Sequence, residues 1–183
     1  AEAHLRLANI ASISGDRAVA QTHLQRAVEL EPGDPLVLAF ASSAAASRGD
    51  FEAAAALQRR AVLADPLSSV ARYNLAVYLF VARDYAAARR ELETLRSLHP
   101  EAREGASLLA QTLVLERRYL EAIDAAASVA DPAIRQEVLA LAYHALGRRV
   151  EAELALQSLA RAAQGRSAYM LAEVHAFRGE PDL

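Results

Sequence analysis

The heptapeptide "RGDFEAA" (Arg48–Ala54) decides how this chain folds, because variants of it recur at one fixed spacing. Upstream it reads "SGDRAVA" (Ser14–Ala20). Downstream it reads "ARDYAAA" (Ala82–Ala88) and then "ERRYLEA" (Glu116–Ala122), each copy 34 residues from the last. Prolines keep the same beat: Pro32, Pro66 and Pro100 follow polar helix ends in "ELEPGD", "LADPLS" and "SLHPEA". A fixed period of roughly 20–50 residues is the signature of a repeat array. Between the marks apolar residues recur at helical spacing, as at Leu24, Ala27 and Val28 and on to Leu30. Each period therefore predicts two helices of about 12–14 residues joined by a tight turn.

Composition agrees with helix. Apolar residues make up 54% of the 183, yet aromatics are only 5% and Trp is absent. The bulk is Ala, 44 residues, followed by Leu; both lead the helix-propensity scale. Only 7 Gly and 6 Pro are present, so turns are few and short. With no Cys there are no disulfides and no thiolate zinc sites. All 20 basic residues are Arg, which with the Ala content points to a GC-rich bacterial genome. A net charge of −3 argues against nucleic acid as a partner. No apolar run is long enough to predict a membrane span.

The 34-residue pattern resembles the tetratricopeptide repeat (TPR) family, whose hallmark is a small residue at three close-packing points. Ala8, Ser42, Ala76 and Ala110 match the point where the first helix of each repeat approaches its second. Ala20, Ala54, Ala88 and Ala122 match the point early in the second helix, and Ala27 and Ala61 the contact with the next repeat, where Leu95 and Val129 stand later. Phe51, Tyr85 and Tyr119 open second helices with an aromatic, as the family prefers, while Arg17 departs from that habit. The resemblance implies an all-α, right-handed superhelical solenoid of antiparallel helix pairs, with about eleven helices. One such solenoid spans 1–183, in repeats 1–34, 35–68, 69–102, 103–132 and 133–164 with a partial repeat at 165–183.

After Arg117 the register shortens: Gly147 in "ALGRRVEA" lies only 30 residues on, and Gly179 follows after 32. Losing about four residues deletes roughly one helical turn and keeps the apolar face aligned. Asp131-Pro132 places that loss in "YLEAIDAAASVA". The prediction is five helix pairs and a lone eleventh helix from about Ser167 to Arg178, with Pro181 compatible with the first turn of a helix after it. The chain begins at Ala1 without an initiator Met, and "AFRGEPDL" (Ala176–Leu183) reads as the turn of a sixth repeat, so we expect a piece of a longer polypeptide. Residues 133–183 also resemble the TPR arm of bacterial multidomain signalling proteins, which implies attachment to a cyclase, kinase or winged-helix regulator.

Catalytic motifs are missing: no G-x-S-x-G, phosphate-binding G-x-x-x-x-G-K, G-x-G-x-x-G or H-E-x-x-H occurs. His4, His23, His99, His144 and His175 show no i,i+4 pairing, and Glu173 is too close in sequence to share a helix face with His175. Glu91 and Glu93 are expected on solvated faces. The arginine doublets (Arg59-Arg60, Arg89-Arg90, Arg117-Arg118, Arg148-Arg149) are interleaved with acids such as Glu116 and Glu151, as on a soluble outer face. We expect no enzyme, no cofactor and no metal.

What remains is surface. By family resemblance the first helices line a concave groove, with Leu5 and Asn9 from the first repeat and Leu36 and Ser43 from the second. Tyr73, Val77 and Phe80 follow from the third, and Gln111 and Val114 from the fourth. Glu137, Leu141 and His144 come from the fifth and Tyr169 from the last. One subclass of the family binds acidic chaperone tails through a polar clamp; of that set only Asn9 is present, since Leu5, Ser43, Tyr73 and Val77 hold the other places. The helix "VARYNLAVYLFVARD" is apolar almost all round, which predicts burial on every face or an apolar groove at Tyr73, Val77, Phe80 and Val81. The expected function is a scaffold whose apolar groove receives a protein or peptide partner. The alternatives are a regulatory arm contacting its own flanking domain and an assembly factor of an envelope or secretion system. Neither nucleic acid nor membrane insertion is expected, and the eleventh helix, lacking a cover, is expected to be capped or paired with a second copy. A cytoplasmic location is favoured over a periplasmic one.

Overall fold

The computed structural model describes residues 1–100, 103, 105–162 and 167–180, leaving side-chain detail at Ser167 aside; Pro181 and the boundary at 101–102 lie outside the described residues. Eleven α-helices and no strand are found among them. They are α1 (Glu2–Ile13), α2 (Arg17–Leu30), α3 (Pro35–Ala46), α4 (Phe51–Ala64), α5 (Ser69–Val81), α6 (Tyr85–Leu98), α7 (Ala106–Leu115), α8 (Tyr119–Ala126), α9 (Pro132–Ala145), α10 (Arg149–Ala162) and α11 (Ser167–Phe177). The helices group into two compact units, Ala1–Glu91 and Leu92–Leu183, with the boundary inside α6.

The recurring heptapeptide is a helix stop fused to a helix start. At each turn one residue takes positive φ: Gly15, Gly49, Arg83, Arg117, Gly147 and Gly179. The residue after it sends its N–H back to the first helix, as in Asp16 to Ala11 O (2.8 Å), Asp50 to Ala45 O (3.1 Å) and Asp84 to Leu79 O (2.9 Å). The left-handed residue itself bonds back too, as in Gly15 to Ser12 O, so orphan carbonyls at the helix end are satisfied by a Schellman motif. The aspartate then turns to the next helix. Asp16, Asp50 and Asp84 accept the N–H groups of Val19, Ala53 and Ala87 at 3.0–3.1 Å, capping α2, α4 and α6.

The small residues serve close approach. Ala8, Ser42, Ala76 and Ala110 are buried, as are Ala20, Ala54, Ala88 and Ala122 and then Ala27, Ala61, Leu95 and Val129. In the first unit, Leu5, Ala8, Leu24, Ala27 and Val37 form one cluster, so α3 seats its Val37 on the α1–α2 pair. A second cluster joins Ala55 of α4 to Leu75 and Leu79 of α5 and to Ala87 and Ala88 of α6.

The shortening falls where "SVADP" predicts it. Helix α8 has 8 residues where α2, α4 and α6 have 14. Asp131 caps α9, accepting from Ala133 N at 2.9 Å, and Pro132 occupies the first helical position, where no N–H is needed. Arg135 reaches back from α9 and donates from Nε and a terminal nitrogen to Val129 O, which holds the truncated connection.

Candidate partner-binding surfaces

In the first unit, an open cleft of about 470 Å³ lies among α1, α2 and α3. Its floor is apolar, built from Ala8, Ala20, Leu24 and Ala44. Asn9 and Ser43, two of the predicted groove residues, stand on its walls beside Phe40, which is 43% exposed. At the turn end are Ser12, Arg17, Ser47 and Arg48. Leu36 is exposed at the start of α3, whereas Leu5 is buried in the first core cluster and presents almost no surface. Sequence reasoning did not place Arg17, Arg48, Gln21 or Phe40 in this cleft. One signal was available: Arg17 stands where other repeats carry an aromatic.

Helix α5 is not sealed on every side. Tyr73, Val77 and Phe80 are half-buried, and Val70 and Val81 are exposed. Phe80 packs on the second core cluster and meets Tyr85 edge-on, ring centroids 5.6 Å apart. Arg72 of the same helix is drawn inward, pairing with Glu91 at 2.5 Å and donating to Pro66 O at 2.8 Å. Glu91 is thus partly buried in an ion pair, not on a solvated face.

In the second unit, Gln111 and Glu137 meet across α7 and α9, the amide donating to the carboxylate at 3.4 Å. Burial, and then the negative charge of Glu173, push the Glu137 carboxyl up to about 7, against the lowering by Gln111. Val114 and Leu141 are buried, His144 packs edge-on against Phe177, and Tyr169 is exposed. The predicted set therefore includes core-packing residues (Leu5, Val114, Leu141), a buried acid (Glu137) and open surface (Asn9, Leu36, Ser43, Tyr169).

The histidines without helical pairing find partners in space. His4 and His23 bring their Nδ1 atoms within 2.9 Å across α1 and α2. His175 pairs with Glu180 at 3.2 Å, not with Glu173. Arg118 and Arg148 pair with Glu121 and Glu151 one turn away, in keeping with a charged outer face. No group of three or more His, Asp or Glu able to hold a metal occurs among the described residues. No helix among them is long and apolar enough to cross a membrane.

Two tetratricopeptide repeat family models match the sequence, one over residues 2–69 and the other over 45–112. Residues 2–112 thus belong to the tetratricopeptide repeat family. No curated protein matches the chain. Solved structures extend the likeness in fold to nearly the full length. A tetratricopeptide repeat protein from Parabacteroides merdae ATCC 43184 superimposes with a TM-score of 0.81 at 16% identity, covering 98% of this chain and 73% of its own. MamA aligns with a TM-score of 0.78 at 18% identity, over 89% of this chain and 98% of its own. YrrB, described as a TPR protein with an unusual peptide-binding site, aligns with a TM-score of 0.77 at 20% identity, over 94% and 89%. The fold is an all-α tetratricopeptide-type solenoid.

Proposed function

We propose that the chain is a non-catalytic scaffold that binds a peptide or peptide-like segment of a protein partner. The observation that supports this reading most is the cleft of the first unit. It is roomy, has an apolar floor, and carries Asn9, Ser43 and Phe40 on its walls with their side chains exposed. Exposed aromatic surface beside adaptable polar groups is the usual make-up of a peptide groove. The peptide-binding site of YrrB, on a similar fold, favours the same class of function. A second apolar wall is offered by Tyr73, Val77 and Phe80 of α5, with Phe80 shared between this wall and internal packing. The same scaffold would serve as an arm of a signalling protein or as an assembly factor, and flanking sequence would distinguish these contexts.

Affinity capture with the intact protein tests the reading, comparing it with an Asn9→Ala/Phe40→Ser variant. Both side chains are exposed, so thermal stability should hold while captured partners are lost. Capture that is unchanged in this variant and in Tyr73→Ser would overturn the proposal.

A further inference from the structure

At the turn end of this cleft the first repeat lacks an aromatic pair, or plug, that the third repeat carries at its own turn. In the third repeat, Phe80 near the end of the first helix and Tyr85 at the start of the second meet edge-on. The matching positions of the first repeat, one period of 34 residues earlier twice over, are Ser12 and Arg17. Both line the open cleft. A small hydroxyl and a flexible cation thus replace two rings, which opens space and adds positive charge at one stroke.

Among the described residues no acid pairs with the guanidinium groups at this end of the cleft. The Arg17 guanidinium makes no hydrogen bond or ion pair among the described residues, and the Arg48 guanidinium makes one bond, from a terminal nitrogen to Ala44 O at 2.8 Å. No carboxylate lines the cleft. The acids next in sequence, Asp16 and Asp50, are engaged in capping α2 and α4. A guanidinium presents a fork of donors that matches a carboxylate, and the charge on both partners strengthens the bond. The remaining wall groups, Asn9, Gln21 and Ser43, suit the amides of an extended backbone.

We propose that this cleft receives an internal Asp or Glu side chain of an extended partner segment, gripped by Arg17 and Arg48 with a neighbouring apolar residue against Phe40. This rests on the scaffold reading above and specifies the partner's chemistry. It differs from recognition of a chain-terminal carboxylate: the two arginines sit at the turn end of the cleft, and of the first-helix positions of a tail clamp only Asn9 is kept, the others being Leu5, Ser43, Tyr73 and Val77.

The test is selection of phage-displayed random dodecapeptides on the intact protein, followed by titration of a selected synthetic peptide and its Asp/Glu→Asn/Gln twin. The expected result is enrichment of internal acids and about tenfold weaker binding of the neutral twin. Arg17→Gln/Arg48→Gln should lose that discrimination at unchanged melting temperature, and Ser12→Phe/Arg17→Tyr, which rebuilds the aromatic plug, should abolish binding. Peptides without acids that bind Arg17→Gln/Arg48→Gln as well as the parent, yet fail on the plugged variant, would overturn the acidic preference and leave the scaffold reading standing. Enrichment that requires a free terminal carboxylate would also overturn it. Peptides indifferent to the plug, or no enrichment at all, would count against both the cleft and the acid.

Discussion

Gln58 of α4 donates its side-chain amide to Ser42 Oγ of α3 at 2.7 Å, and both residues are sealed from solvent. Ser42 in turn donates to Ala39 O at 2.9 Å, so the hydroxyl is used twice. One period earlier the same two positions hold Ala8 and Leu24, packed together in an apolar cluster. The second repeat has replaced an apolar contact by a buried polar one. Removing the hydroxyl alone strands an amide in the core. Ser42→Ala should therefore cost about 1–3 kcal/mol in urea unfolding. Ser42→Ala/Gln58→Leu, which recreates the Ala8–Leu24 contact, should recover most of it. Strictly additive losses would contradict a coupled pair.

Left-handed residues end the first helices of all six turns, but at two of them the residue is arginine, with φ of 64° at Arg83 and 60° at Arg117. A side chain with a Cβ is disfavoured there by roughly 1–2 kcal/mol. Arg83→Gly should raise stability by about 1 kcal/mol, read as a higher melting temperature. Gly49→Ala should lower it by a similar amount although no atom lies within 4 Å of the added methyl, because the cost is conformational and not steric.

Small side chains at the helix crossings are a steric requirement, not merely a helix preference. Ala54 is fully buried while Ala56, two residues along the same helix, is exposed. Ala54→Leu should cost at least about 1–3 kcal/mol by overpacking. Ala56→Leu should change stability by less than about 0.5 kcal/mol. Equal effects in a denaturant titration would refute the close-packing role.

Glu137 makes the stability of the second unit depend on pH. Its folded pKa, about 7, lies above the ordinary value of 4.5, so the folded state holds the proton more tightly than the unfolded chain. The stability this contributes is complete below about pH 4.5 and is lost as pH rises through 7. Glu137→Gln, neutral at every pH, should match the parent near pH 4.5 and exceed it increasingly as pH rises through 7. A pH-independent difference between the two proteins would contradict the assignment.

Fold was largely legible because its determinants are local. A turn needs a residue that tolerates positive φ and an acid to cap the next helix, and "SGDR" and "RGDF" state both within four letters. "ADP" in Ala130–Pro132 stops one helix and starts another, which is why the shortened α8 could be placed from the chain alone. The candidate surface was legible only in part. Resemblance to the family assigned Asn9 and Ser43 to the groove, and both line the cleft of the first unit. It also assigned Leu5, Val114 and Leu141, whose exposure is decided by how deeply neighbouring helices press against them.

The sequence by itself determined the all-α fold, the 34-residue beat, the small residues at the crossings and the place of the missing turn, since each depends on a few adjacent residues or on one period. Only the tertiary structure decided that Glu91 pairs with Arg72, that His4 meets His23, that Glu137 sits buried beside Gln111, and that Arg17 lines a cleft while Tyr85 packs edge-on against Phe80. The physical reason is distance along the chain. Burial and electrostatic partnership belong to surfaces brought together from separate helices, and no single stretch carries the geometry of that meeting.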